Sequence, residues 1–291
     1  MTLPDRPAIG FIGLGVMGHA MAGHILDAGY RLLVFNRSRG KADDLVERGA
    51  EWADTAGLVA AESDVVITMV GYPADVDEVY FGAHGVIAAA KAGAYLVDMT
   101  TSSPILARRM AAAASEAGLH ALDAPVSGGD VGARNATLTI MVGGEPEDFD
   151  AMLPVLKVLG TNVVLQGPAG SGQHTKMANQ IAIAGTMIGV VEALAYAQAA
   201  ALDPETVLAS VSVGSAASWT LTNLAPRILA GDFEPGFYVK HFIKDMTIAI
   251  DAAHAMGLEL PGLELAENLY ERVRDLGYAD SGAQALWKAY E

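Results

Sequence analysis

The chain is 291 residues long, carries 34 acidic against 18 basic side chains for a formal charge of −16, and contains no cysteine. Its length suits two ordinary domains, while the charge, with no basic stripe to offset it, excludes a general nucleic-acid binder. The missing cysteines exclude disulfides and thiolate metal sites, and the opening MTLPDRPAIGF lacks a basic-then-apolar targeting pattern, so the expected location is the cytoplasm. Taken in chain order, short β-branched runs at 9–12, 32–35, 65–69, 95–98, 120–124, 137–142 and 163–165 alternate with helical patterns. This alternation predicts a mostly parallel sheet wrapped by helices, with the strands from 138 onward turning antiparallel at one edge. Strand signals stop at about residue 170. Helical patterns then fill 172–201, 204–213, 218–230, 240–256, 263–276 and 282–290, after the punctuating segment Gln166-Gly167-Pro168-Ala169-Gly170.

The first of those long helices runs for about thirty residues, well beyond the usual three turns. Glu192 and Gln198 interrupt its apolar sequence, which suits a buried helix better than a membrane span. Its Ala and Gly content lets neighbouring helices approach closely, and a homodimer or homotetramer is expected.

The most specific local pattern is IGFIGLGVMG at 9–18, an apolar run followed by Gly13, Gly15 and Gly18 in GxGxxG spacing before a helical segment. The first glycine permits a tight turn, the second lets the backbone approach a pyrophosphate, and the third lets helix and strand pack closely. The helix N-terminus then points free N–H groups at the anion. The pattern predicts NAD(P) bound on Gly13, Leu14, Gly15, Val16 and Met17. At the end of the next strand an NAD enzyme would carry an acidic partner for the ribose; here stand Asn36, Arg37 and Ser38, with Arg39 and Lys41 close behind. A cation at this place suits a 2′-phosphate, so NADP is expected, with NAD the weaker alternative. The fold expected is therefore α/β: an N-terminal Rossmann doubly wound domain over 1–165, then an all-α C-terminal domain over 166–291.

Four blocks in order, GFIGLGVMG at 10–18, DAPVSGG at 123–129, GSGQHTKMANQ at 170–180 and KHFIKDMTIA at 240–249, carry a wider likeness. Together they resemble the β-hydroxyacid dehydrogenase family, which includes 3-hydroxyisobutyrate dehydrogenases, tartronate semialdehyde reductases and 6-phosphogluconate dehydrogenase. The resemblance covers nearly the whole chain and implies hydride transfer between NADP(H) and a small 3-hydroxy acid or its semialdehyde, at a site between the domains. It places the general acid/base at Lys176 and the substrate carboxylate at Ser127, Gly128 and Gly129, whose loop offers backbone N–H donors and a hydroxyl. It also places Lys244 over nicotinamide and substrate, with Asp245 positioning it, and adds Met69, Val70 and Thr101 to the cofactor side. Several family members hold the substrate hydroxyl with an asparagine four residues beyond the lysine; this chain, like tartronate semialdehyde reductase-like sequences, has Gln180 there and Asn179 one place earlier, so either amide is a candidate. Both share the helix face of Lys176 by their spacing.

The seven histidines show no metal-ligand spacing with carboxylates, and no metal is expected. An imine reductase shares this architecture but typically carries another residue at the lysine position. Decarboxylating 6-phosphogluconate chemistry would need a longer helical domain and a basic phosphate-binding set. A non-catalytic NADP-binding sensor or scaffold would have to retain Lys176 without using it.

Overall fold

The computed structural model describes residues 4–291; the first three residues of the expected N-terminal domain, and of the segment read for a targeting signal, lie outside the described residues. Its contacts divide the chain into two compact units, Met1–Lys176 and Met177–Glu291. The first holds one sheet made of β1 (Ile9–Ile12), β2 (Leu32–Phe35), β3 (Glu51–Trp52), β4 (Val65–Thr68), β5 (Tyr95–Asp98), β6 (His120–Asp123), β7 (Val126–Ser127), β8 (Leu138–Gly143) and β9 (Gly160–Gly167). The order across it is β3-β2-β1-β4-β5-β6-β8-β7, with β9 also paired to β8. Strands β1 to β6 pair in parallel, and β8 runs antiparallel to both β6 and β7, the edge arrangement expected from the sequence.

The central strands β1, β4 and β5 are buried along their whole length, because helices cover both faces of a parallel sheet. Side-chain alternation splits them between two cores. Ile9, Phe11, Val65 and Val97 face one cluster with Met21 and Val34, whereas Ile12, Val66 and Leu96 face another with Val59 and Tyr80. Chain order reverses at β1, which lies between β2 and β4, and in such sheets ligands gather outside the strand C-termini at that reversal.

The second unit is helical, with Phe242, Met246, Tyr270 and Leu286 at the centre of its core. The expected helix over 218–230 is two short ones, Trp219–Asn223 and Ala225–Leu229, because Pro226 supplies no N–H to continue the first. The helix expected over 263–276 is Pro261–Val273, after which Gly277 at φ +96° turns the chain. The two-residue strands β3 and β7 were too short to give a periodic signal. The division between units falls at 176/177 rather than the expected 165/166. Strand β9 runs on to Gly167, and the first turn of the helix Ser171–Ala199 is hydrogen-bonded to the sheet.

Candidate active site

The glycine-rich turn follows β1, and its three glycines meet three different surroundings. A Cβ on Gly13, which sits at φ +100°, would strike the Met69 carbonyl at the end of β4, and one on Gly18 would strike the Gly13 carbonyl. A Cβ on Gly15 would meet nothing within 4 Å. The first and third glycines are therefore demanded by the fold, while the second leaves open backbone at the N-terminus of the helix Val16–Asp27. That N-terminus has no side-chain cap and no acidic residue in its first turn, so its N–H groups are available to a phosphate. The residues present thus fit a dinucleotide. Val16 is exposed, Met17 packs partly on the core, and Leu14 is buried with its N–H donated to Asn36 Oδ1 at 3.0 Å.

Asn36 is consequently occupied with structure: its Nδ2 donates to the Ser38 carbonyl at 2.9 Å while its Oδ1 holds the glycine turn. Arg37 extends into solvent, 83% exposed, with Nη1 3.1 Å from Asp75 Oδ1. Arg39 lies over the Trp52 ring at 5.4 Å. A solvent-exposed ion pair such as Arg37–Asp75 contributes little and leaves the guanidinium accessible to a stronger anion.

The last residues of β4, β5 and β6, namely Thr68, Asp98 and Asp123, stand in one row because the strands pair in register there. Asp98 Oδ1 accepts from Thr68 Oγ1 at 2.8 Å and from Thr100 N at 3.1 Å. Tyr80 OH lies 3.0 Å from Thr68 Oγ1. Burial raises the Asp98 carboxyl from its ordinary 3.8 to about 6 against the opposing pull of these hydrogen bonds. Val70 N donates to Thr100 Oγ1 at 3.0 Å, so the loops carrying Met69-Val70 and Thr101 are tied together. Asp123, also raised by burial, accepts from Gly170 N at 2.7 Å and Gln173 N at 2.8 Å. This carboxylate caps the long helix, and on that helix Lys176 is 7% exposed.

Ser127 ends β7, opposite Thr139. Gly128 and Gly129 follow at φ +128° and +63°, backbone conformations that side-chain-bearing residues rarely adopt.

In the second unit, Asp245 is almost wholly buried on the helix Val239–Ala255. Gln180 Nε2 donates to its Oδ2 at 2.6 Å, and Asn179 Nδ2 donates to Gln180 Oε1 at 2.8 Å. Lys244 Nζ lies 3.1 Å from Asp245 Oδ1, within ion-pair range though outside hydrogen-bond geometry. His241 is held below the usual histidine range, first by burial and then by the Lys244 charge. Among the described residues no group of three or more His, Asp and Glu is placed to hold a metal ion.

Sequence reasoning gave no role to Thr68, Asp98, Asp123 or Gln173. Their one signal was a polar residue closing each apolar run, VVIT, YLVD and HALD, and a glutamine inside GSGQHTK.

Residues 8–167 match the family model described as the NAD binding domain of 6-phosphogluconate dehydrogenase. Residues 170–290 match the one described as NAD-binding of NADP-dependent 3-hydroxyisobutyrate dehydrogenase. A Bacillus subtilis (strain 168) protein described as an uncharacterised oxidoreductase is 59% identical, over 98% of this chain and 99% of its own length. The 2-hydroxy-3-oxopropionate reductase of Escherichia coli (strain K12) is 39% identical over 97% of each chain. The structure of Mycobacterium tuberculosis 3-hydroxyisobutyrate dehydrogenase with L-serine superposes with a TM-score of 0.90 at 31% identity, covering 97% of this chain and 98% of that one.

Proposed function

Because the chain belongs to the β-hydroxyacid dehydrogenase family, whose members are NAD(P)-dependent oxidoreductases of 3-hydroxy acids, we propose that it interconverts a small semialdehyde and its 3-hydroxy acid using NADP(H), with Lys176 as general acid and base. The observation that carries this reading is the setting of Lys176. It is a buried lysine on a helix whose first turn is bonded to Asp123 at the C-terminal end of β6 and to the segment that follows β5, at the edge of the sheet that also bears the glycine-rich turn. The nicotinamide, when bound, supplies or accepts hydride. Lys176 gives a proton to the carbonyl oxygen in reduction and takes one from the hydroxyl in oxidation. Ser127 and the N–H groups at Gly128 and Gly129 hold the substrate carboxylate, and Lys244, whose Nζ lies 3.1 Å from Asp245 Oδ1, is the second unit's cationic contribution to binding. Asn179 or Gln180 meets the substrate hydroxyl; the two amides are linked to each other, and Gln180 also to Asp245. The retained lysine speaks against imine reduction and against a sensor without turnover. The cysteine-free sequence suits the reducing cytoplasm.

NADPH consumption is to be followed with tartronate semialdehyde, methylmalonate semialdehyde, succinate semialdehyde and glyoxylate. Reduction of one of the first three in preference to glyoxylate supports the reading; no oxidation of NADPH or NADH by any of the four overturns it.

The NADP part of the reading rests on Arg37. Arg37→Ala is expected to weaken NADPH by on the order of ten- to a hundredfold, the loss of charge-assisted bonds of about 1.5–3 kcal/mol, and to leave NADH nearly level. Titration of both cofactors at fixed ionic strength checks it; equal losses would move Arg37 away from the 2′-phosphate.

A homodimer or homotetramer is also part of the reading. The helix Ser171–Ala199 is long and apolar enough to cross a bilayer by length and composition, yet only 39% of its most apolar window is buried within this chain. Ala178, Ala182, Gly185 and Gly189 form a small-residue face toward solvent, which supports packing against a second copy. Sedimentation as a monomer at micromolar concentration would remove this part.

A further inference from the structure

Gln173 is fully buried in the first turn of the helix that carries Lys176, and both ends of its amide are used on one stretch of backbone. Its Oε1 accepts from Ser102 N at 2.9 Å, and its Nε2 donates to the Thr100 carbonyl at 2.7 Å. The amide thus pairs with residues 100 and 102 as a neighbouring strand would, and Thr101 lies between the two points of attachment. The main chain of Gln173 is fixed separately, since its N–H is held by Asp123. One residue therefore joins the segment after β5 to the capped first turn of the helix.

From this clasp we infer that Gln173 is a positioning residue for the reaction, setting the height and rotation of the Lys176 turn against the loop bearing Thr101. The inference rests on the reading of Lys176 as the acid/base. Lys176 follows Gln173 by three residues, one helical step along the same face, so a shift of the first turn carries the lysine with it. Proton transfer requires heavy atoms at hydrogen-bond distance, and a displacement of about 1 Å can cost on the order of a hundredfold in rate. Only a side chain with a donor and an acceptor side by side makes both bonds, and at this position the choice is glutamine or a neutral carboxylic acid.

The last point supplies the test. In Gln173→Glu, the protonated acid donates to the Thr100 carbonyl and accepts from Ser102 N, whereas the ionised form sets a negative oxygen against that carbonyl. Asp98, bonded to Thr100 N, and Asp123, bonded to Gln173 N, are the carboxylates on the joined segments; both are present in variant and wild type, so the comparison is made as a ratio at each pH. Steady-state kcat is measured with NADPH and the fastest-reduced of the semialdehydes named above. The expected ratio of variant to wild type is near one at about pH 6 and falls to on the order of 0.01–0.1 at about pH 9, with NADPH affinity and the far-ultraviolet spectrum little changed. Gln173→Met, which fills the space without either bond, is expected to show the lowered kcat at every pH, and it serves as the test if the glutamate variant does not fold. A kcat ratio near one throughout for a folded variant overturns the inference, as does a loss accounted for entirely by weaker NADPH binding. Lys176→Ala is assayed alongside. If that variant turns over like wild type the acid/base reading fails, and if it is inactive while both Gln173 variants are unimpaired the clasp alone fails.

Discussion

Lys176→Ala is expected to lower kcat by on the order of 10²–10⁴-fold, the range for removing a general acid/base, while NADPH binds nearly as tightly as before. The separation follows from the layout of the first unit. In the proposed function the dinucleotide is met by the glycine turn and the segment after β2, whereas Lys176 sits on a helix whose first turn is bonded to Asp123 at the end of β6 and to the segment after β5. Lost kcat with a retained NADPH titration checks the assignment. Turnover at the wild-type rate would remove Lys176 from the mechanism, and a parallel loss of NADPH affinity would make it a cofactor ligand.

Asp98→Asn is expected to change how stability responds to pH. In the folded chain the carboxyl keeps its proton up to about 6, and in the unfolded chain it gives it up near 3.8. The folded state therefore binds more protons between those values, and stability from this group is greatest below pH 3.8 and is lost as pH rises through 6. The full cost at neutral pH is about 3 kcal/mol. Asparagine keeps an oxygen to accept from Thr68 and Thr100 and has no charge to bury. The stability difference, variant minus wild type, from urea unfolding should rise by about 2 kcal/mol between pH 4 and pH 7, most of the full amount, because part of it has already gone at pH 4. Asp123, raised in the same direction, is present in both proteins and largely cancels. A difference that stays flat with pH would mean that Asp98 carries no such burden.

The features legible in the sequence were those that depend on near neighbours. The glycine spacing announced a strand, a turn and a helix because two of its demands are local, the positive φ of Gly13 and the Gly13 carbonyl that crowds Gly18, although Met69 also crowds Gly13 and nothing crowds Gly15. The parallel strands were equally plain, since a strand covered on both faces reads as an unbroken apolar run. Partners set by register were hidden. Thr68, Asp98 and Asp123 lie 30 and 25 positions apart and become neighbours only once β4, β5 and β6 align, as their pairing shows. Gln173 stood inside a motif already singled out, but the groups it holds are 71 and 73 residues away. The partner of Gln180 was hidden for the same reason, because Asp245, whose carboxylate engages it, arrives 65 residues later.

The position of β1 also has a consequence for how the chain is made. Ile9–Ile12 leaves the ribosome before either of its neighbours, yet it becomes an inner strand, pairing on one side with Leu32–Phe35 and on the other with Val65–Thr68. At about 5–20 residues per second, the growing chain carries this fully apolar strand with an unpaired edge for on the order of 3–11 s before β4 is synthesised. During that interval IGFI is an uncharged strand segment with an edge still uncovered. The helix Val16–Asp27, which can form locally and lie over one face of β1, is the first cover available to it, so the nascent protein is most vulnerable to aggregation before residue 68 has emerged.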